Sequence, residues 1–438
     1  GFGDFDRDKK GGGGYHHYLL GEGCGKMAKE SLTNYKLQIT NYRLFREAKK
    51  VIPGGVNSPV RSFKAVGGAP VFIKKASGSK FLAEDGKTYI DYCMSWGALL
   101  LGHAHSEVVS GVKKAVEKGT SYGAATKAET EFAKIITKAI PSCELARLVS
   151  SGTEAAMSAI RVARGYTGKN KIIKFKECYH GHSDYFLSGK SAGIPENISR
   201  DVYSLDYNNL EQAEEALEKD KDIACVIVEP IAANTGLILP LKSFLEGLRK
   251  LTLKHKALLI FDEVITGFRF CFGGVQNIFG IIPDLTCLGK IIGGGFPLAC
   301  FGGKKEIMRH LAPLGSVYQA GTLSGNPVAV QAGLKTLEII KKPGFYKRLN
   351  EKAGSFYKKI DGIIENKKTN IVLNRFGAMF HFSFKDKKQF SGFFHNLLAQ
   401  GIYLSPAGDE VCFVSAAHTD KDFEITLKAL NHLKERLV

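Results

Sequence analysis

The residues best suited to chemistry lie between Ala257 and Pro297. An apolar run, Ala-Leu-Leu-Ile-Phe at 257–261, delivers Asp262 and Glu263. Lys290 follows 28 residues after Asp262 and precedes Ile-Ile-Gly-Gly-Gly-Phe-Pro. A carboxylate at the end of a buried strand, paired with a lysine among glycines, suits pyridoxal phosphate chemistry. The amine would form a Schiff base with the cofactor aldehyde. The carboxylate would keep the pyridine nitrogen protonated, so that the ring accepts electrons from a carbanion. A lysine in such apolar surroundings needs a reason, because burying an ammonium is costly unless it is paired or neutralised. A structural salt bridge is the competing explanation.

Other motifs gain meaning beside this pair. Ser150-Ser151-Gly152-Thr153-Glu154 ends a strand and opens a helix, and its hydroxyls, glycine and free N–H groups make an anion site. A plain helix cap has the same spelling. Tyr179-His180-Gly181-His182 and His103-Ala104-His105 lack the further ligands at fixed spacing that zinc requires, so no metal is expected. The Tyr179 ring instead suits the face of a flat pyridine. Gly293-Gly294-Gly295 is not a dinucleotide fingerprint, and no Walker lysine–serine pair accompanies it. On the loop Gly54 to Arg61, Ser58 and Arg61 bring a hydroxyl and a guanidinium together, and arginine binds carboxylates in a forked manner. A structural turn is the other reading of that loop.

The elements that position these residues alternate. Leu145–Val149, Lys171–Phe175, Ala224–Val228 and Ala257–Phe261 read as strands. Between them, Glu154–Gly165, Leu210–Lys219 and Ser243–His255 carry apolar residues at helical spacing. Buried strands separated by amphipathic helices imply an α/β domain with a mainly parallel sheet covered on both faces. Ligands on such sheets bind at the carboxyl ends of strands, where Ser150, Glu229 and Asp262 fall. Residues 70–92 read as antiparallel strands turning at Ser77-Gly78 and Asp85-Gly86. Beyond Lys341 come a helix, a strand near Ala378–Phe384 and a closing helix from Asp420. The expected organisation is a segment 27–94 joining a small domain, a large cofactor-binding domain 95–340, and the rest of the small domain at 341–438. Residues 1–26, with four consecutive glycines and no periodicity, read as a disordered or non-native extension before Met27.

Composition narrows the class. The chain has 438 residues, 44% apolar and 24% charged, as expected of a soluble globular protein. Its net charge of +18 comes from 61 basic and 43 acidic side chains. The basic residues are scattered, with no long run and no interleaved aromatics. That argues against nucleic acid and for a positive field that favours a phosphate cofactor and a carboxylate substrate. No uncharged stretch is long enough to span a membrane. Nine cysteines with no Cys-x-x-Cys pair point to free thiols in a reducing, cytoplasmic setting.

From about Lys50 onward the chain resembles the glutamate-1-semialdehyde aminomutase family within the class III aminotransferases. The residues that carry the likeness are Pro-Gly-Gly-Val-Asn-Ser-Pro-Val-Arg at 53–61, Ser-Trp-Gly at 95–97, Ser-Ser-Gly-Thr-Glu-Ala at 150–155 and Tyr-His-Gly-His at 179–182. Phe-Asp-Glu-Val-Ile-Thr-Gly-Phe-Arg at 261–269, Leu-Gly-Lys-Ile-Ile-Gly-Gly-Gly-Phe-Pro at 288–297 and Tyr-Gln-Ala-Gly-Thr-Leu-Ser-Gly-Asn-Pro at 318–327 complete it. The resemblance implies the type I pyridoxal phosphate-dependent transferase fold and a homodimer with shared active sites. It implies that Lys290 bonds the cofactor, Asp262 faces the pyridine nitrogen, and Tyr179 and Val264 sandwich the ring. Gly152 and Thr153 would hold the phosphate, joined by Thr322 reaching across from the partner. Ser58 and Arg61 would take the substrate carboxylate, with Trp96, Asn234 and Glu410 lining the pocket. The implied reaction converts glutamate 1-semialdehyde to 5-aminolevulinate through diaminovalerate, for tetrapyrrole synthesis, with the cofactor cycling between pyridoxamine and pyridoxal 5'-phosphate.

The sequence departs from that family's pattern in a few places. The stretch between Asp184 and Asp206 is shorter than the usual mobile gate, as is the one between Phe384 and Phe390. Ala233, Ala299 and His381 stand where glycine or another small residue is expected. A shortened lid predicts greater escape of diaminovalerate, because lids sequester intermediates. The alternatives are a class III aminotransferase acting between an amino acid or amine and a keto acid, or a binding protein whose catalysis has decayed.

Overall fold

The computed structural model describes residues 40–187, 191–367 and 369–433. Its centre is a seven-stranded sheet. The contributing strands, numbered among all those of the chain, are β4 (Leu145–Val149), β5 (Lys171–Phe175), β6 (Val202–Leu205), β7 (Ile223–Val228), β8 (Leu258–Glu263), β9 (Leu285–Leu288) and β10 (Ala299–Gly303). Their spatial order is β4-β10-β9-β8-β7-β5-β6. β10 runs antiparallel to both β4 and β9, while the other neighbours pair in parallel.

The apolar runs account for the layering. β7 and β8 are buried along their whole length. Cys225, Ile227, Leu258 and Ile260 pack on one face with Ala155, Ala159 and Val162 of the helix Gly152–Thr167. Val226, Val228, Leu259 and Phe261 pack on the other face with Ala213, Leu217, Phe244 and Leu248. Alternating side chains on doubly covered strands leave no polar face, which is why these segments read as continuous apolar runs. The helices Leu210–Lys219 and Lys242–Lys254 supply that second cover.

Two smaller sheets flank this core. β1 (Ile73–Ser77), β2 (Lys80–Ala83) and β3 (Thr88–Asp91) form an antiparallel meander, turning at the two expected glycines. β3 then pairs in parallel with β13 (Ile402–Tyr403) from the far end of the chain. β11 (Ile371–Phe376), β12 (Met379–Phe384) and β14 (Cys412–Phe413) make the third sheet. The closing helix Asp420–Asn431 starts in a capping box between Thr419 and Asp422. No helix among the described residues is long and apolar enough to cross a membrane.

The sequence reading found four of the seven central strands, with β7 starting one residue earlier and β8 ending two residues later than expected. It missed β6, β9 and β10. β6 is only half-buried and carries no continuous apolar run. β9 is four residues long, and β10 reads Ala-Cys-Phe-Gly-Gly, too rich in small residues to announce a strand. Residues 1–26, and 188–190 of the stretch expected to form a shortened gate, lie outside the described residues.

Candidate active site

β8 carries its two carboxylates in strand geometry, so alternation sends them to opposite sides. Glu263 turns into the fold. It accepts hydrogen bonds from the Val275 N–H at 2.5 Å, the Gln276 side-chain amide at 3.1 Å and the Thr266 hydroxyl at 3.0 Å. Burial raises its pKa. It is a structural anchor for the chain that follows the strand. Asp262 faces a cavity of about 270 Å³. One of its oxygens lies 2.7 Å from His180 Nδ1, and the other accepts from the Val264 N–H at 3.0 Å.

Lys290 reaches the same cavity from between two central strands. β9 ends at Leu288 and β10 begins at Ala299, and Lys290 opens the short helical turn Lys290–Gly293 between them with a φ of 49°. Its side chain is half-buried and lines the cavity. Burial pushes its amine below the ordinary lysine range. Glu410, Glu229 and Asp262 oppose that shift and Arg269 adds to it. A larger neutral fraction near physiological pH makes the amine a nucleophile and a base.

The opposite wall begins where β4 ends. Ser151 caps the helix Gly152–Thr167 by accepting from the Glu154 N–H, and the Glu154 carboxylate returns to the Ser150 N–H at 2.8 Å. The capping reading therefore holds. Gly152 and Thr153 line the cavity at a helix start, where the first N–H groups have no partner within the helix. Val264 packs so closely there that a Cβ on Gly152 would sit 3.1 Å from its Cγ1, and one on Gly289 would meet the same methyl at 3.1 Å. Gly181, at φ 94°, lies against Thr153, and a Cβ there would come within 2.2 Å of the threonine hydroxyl. Only glycine admits that approach.

Glu229 closes the floor just beyond β7. Its buried carboxylate accepts from the Tyr179 N–H at 2.7 Å, the Asn234 side-chain amide at 2.8 Å and the Ala233 N–H at 3.1 Å. Burial, reinforced by Asp262, pushes its pKa up to about 8. The Tyr179 ring keeps half its surface free and lines the cavity. Its phenol is shifted up by burial and then by Glu410. Glu410 itself is pushed up to about 7 by burial, with Lys290 working the other way.

Of the residues singled out from sequence, Lys290, Asp262, Val264, Gly152, Thr153, Tyr179 and Asn234 line one cavity. Ser58, Arg61, Trp96, Glu410 and Thr322 stand outside its wall. Ser58 and Trp96 are half-buried, while Arg61 and Thr322 are exposed. Glu410 joins the site through its electrostatic coupling to Lys290 and Tyr179. His180 and Glu229 line the cavity with no role assigned from sequence. Glu229 follows a buried strand just as Asp262 ends one, and that shared position was the available signal. His180 was weighed only as half of a metal pair. In the other such pair, His103 Nε2 lies 2.7 Å from Asp91 Oδ2.

Comparison with known proteins places this geometry. The model of the family described as aminotransferase class III matches residues 63–435. The chain belongs to the class III aminotransferases. Within that family, it is 50% identical over 413 residues to the glutamate-1-semialdehyde 2,1-aminomutase of Syntrophomonas wolfei, a match covering 89% of this chain and 96% of that one. It is 51% identical over 412 residues to the enzyme of the same name from Bordetella avium, covering 88% and 96%. Among solved structures, a transaminase with PLP bound superposes with a TM-score of 0.84 at 26% identity, covering 90% of this chain and 96% of that one. The fold of this chain is therefore shared with a transaminase only 26% identical to it.

Proposed function

We propose that this class III enzyme is an isomerase that converts glutamate 1-semialdehyde to 5-aminolevulinate through diaminovalerate, in tetrapyrrole synthesis. The observation that carries the reading is the single cavity holding the Lys290 amine, the Asp262 carboxylate and the Gly152–Thr153 helix start. Identity of about half to aminomutases along nearly their whole length selects the reaction among those the family performs.

The donor set fits pyridoxal or pyridoxamine 5'-phosphate. A buried carboxylate tied to an imidazole suits a protonated ring nitrogen, and an open helix start suits a phosphate. Gly152 and Thr153 would hold the phosphate, with Thr322 contributed from across a homodimer interface. Asp262 would meet the ring nitrogen, and Tyr179 and Val264 would flank the ring. Bound there, the cofactor supplies an electron sink and an amino carrier.

The chain's own residues do the rest. Lys290, whose amine burial holds below the ordinary lysine range, moves protons at the substrate carbons beside it. His180 keeps the Asp262 carboxylate aimed into the cavity, and Glu229 fixes Tyr179 and Asn234 on one side of it. Asn234, Trp96 and Glu410 would line the substrate pocket, while Ser58 and Arg61 would take the substrate carboxylate. Arg61 stands exposed, at the end of the turn Pro59–Ser62, so that role rests on its closing over bound substrate.

The deciding assay measures 5-aminolevulinate formed from glutamate 1-semialdehyde with no amino donor or keto-acid acceptor added. Turnover, lost in Lys290→Ala, is the expected result. Steady activity only with an external donor and acceptor would replace the reading with an ordinary aminotransferase.

A further inference from the structure

Among the described residues, Arg269 is the largest fully buried side chain, 1% exposed, and no carboxylate among them lies within ion-pairing distance of it. Its partners are neutral. The guanidinium donates to the Gly97 carbonyl, its Nε donates to the Ile265 carbonyl at 3.0 Å, and its carbon stands 4.5 Å from the centre of the Phe413 ring. A buried cation satisfied by carbonyls and a ring face is costly to keep, so its geometry calls for a purpose.

One of the three segments it joins lines the cavity, and the other two pack beside it. Ile265 follows Asp262 and Val264 and itself lines the cavity. Phe413 belongs to β14, three residues after Glu410. Gly97 ends a run of four consecutive left-handed residues, Met94, Ser95, Trp96 and Gly97, with φ of 45°, 53°, 58° and 87°. L-residues other than glycine resist that conformation, so the run needs outside support. Part of it comes from Asp91, whose Oδ1 accepts from the Cys93 and Met94 N–H groups at 2.8 and 3.0 Å. Met94 in turn packs with Ala233, Ile265 and Phe413. At Gly97 a Cβ would fall 2.7 Å from the Phe413 ring and 2.9 Å from the guanidinium, so the arginine, ring and turn are fitted to one another.

We infer that Arg269 is a positioning residue for the reaction proposed above: its guanidinium locks the left-handed turn carrying Trp96 to the chain after Asp262 and to the strand after Glu410. The three segments then keep one registration beside the cavity. The same fixed positive charge acts on the Lys290 amine, against the carboxylates of Glu410, Glu229 and Asp262.

Trp96 is the chain's only tryptophan and reports the turn directly. Arg269→Met keeps the volume and removes both donors, whereas Arg269→Lys keeps the charge and reaches one carbonyl at a time. In the full-length enzyme without substrate, Arg269→Met is expected to shift and broaden the Trp96 emission, with Arg269→Lys intermediate. With glutamate 1-semialdehyde, kcat/KM is expected to fall by about a hundredfold in Arg269→Met, with KM taking the larger share. Gly97→Ala, which disturbs the contact from the other side, is expected to give the same emission change. Unchanged emission and unchanged KM in folded Arg269→Met or Arg269→Lys, with only a lower melting temperature, would reduce Arg269 to core packing and overturn the inference. The emission arm uses no substrate, so it stands apart from whether the proposed reaction is right.

Discussion

His180 Nδ1 lies 2.7 Å from Asp262 Oδ2, with both side chains buried, while the second ring nitrogen of His180 has no hydrogen-bond partner among the described residues. The imidazole is thus committed to one carboxylate oxygen, and the Val264 N–H occupies the other. Replacing His180 with Phe leaves the carboxylate one bond short in a buried place. Hydrogen bonds to charged groups are worth about 1.5–3 kcal/mol, so cofactor affinity is expected to weaken roughly ten- to hundredfold. Titration of the apoenzyme with pyridoxal phosphate measures it, and an unchanged dissociation constant would remove His180 from the site.

Gly181 offers a steric test of the phosphate end. A methyl group there would collide with the Thr153 hydroxyl at a backbone conformation that already disfavours side chains. Gly181→Ala is expected to displace Thr153 and weaken binding of pyridoxal phosphate more than that of phosphate-free pyridoxal. Equal losses for both ligands would show that the helix start does not read the phosphate.

Glu410 bears on pH dependence. Its negative charge is the leading influence that raises the Lys290 pKa, while burial lowers it. The catalytic form requires the neutral amine, so activity rises as pH climbs through the Lys290 titration. Removing the carboxylate in Glu410→Gln lowers that pKa, and the acid limb of the kcat profile is expected to move toward lower pH. Glu229 and Asp262 also act on the amine, so the whole profile must be fitted. A limb that stays fixed or moves upward would disconnect Glu410 from Lys290.

His418 sets a stability limit away from the cavity. It is fully buried, stacked 4.6 Å from the Tyr92 ring, and its Nδ1 accepts from the Ser415 N–H at 2.9 Å. Burial lowers its pKa from 6.5 to about 4. The unfolded chain therefore binds a proton in this interval that the folded chain refuses. The stability linked to His418 is fully present above pH 6.5 and is lost as pH falls toward 4, up to about 3 kcal/mol from this one group. His418→Phe keeps a ring in the stack and is expected to flatten the fall in melting temperature across that interval. An equally steep fall would place the acid sensitivity elsewhere.

How much of this was legible beforehand depended on the kind of signal. β7 and β8 announced themselves because strands covered on both faces must be apolar throughout, and Asp262 stood out because a carboxylate breaks such a run. β10 stayed hidden because its burial is achieved by small residues, and nothing local reveals that it runs against its neighbours. In the cavity, Lys290 and Asp262 were visible as exceptions to their surroundings. Glu229 was harder to read, since its meaning comes from donors contributed by Tyr179, Ala233 and Asn234, which only the folded chain assembles. Arg269 was quoted within a motif, but its lack of an acidic partner is a property of three dimensions.

The placement of Lys290 between β9 and β10 has a mechanical consequence. Both ends of its loop are pinned by inner strands of the sheet, which anchor the backbone beneath it. Whatever the amine must reach, it reaches by swinging a four-carbon arm on a stationary mount, and the enzyme's range of proton delivery is the sweep of that arm.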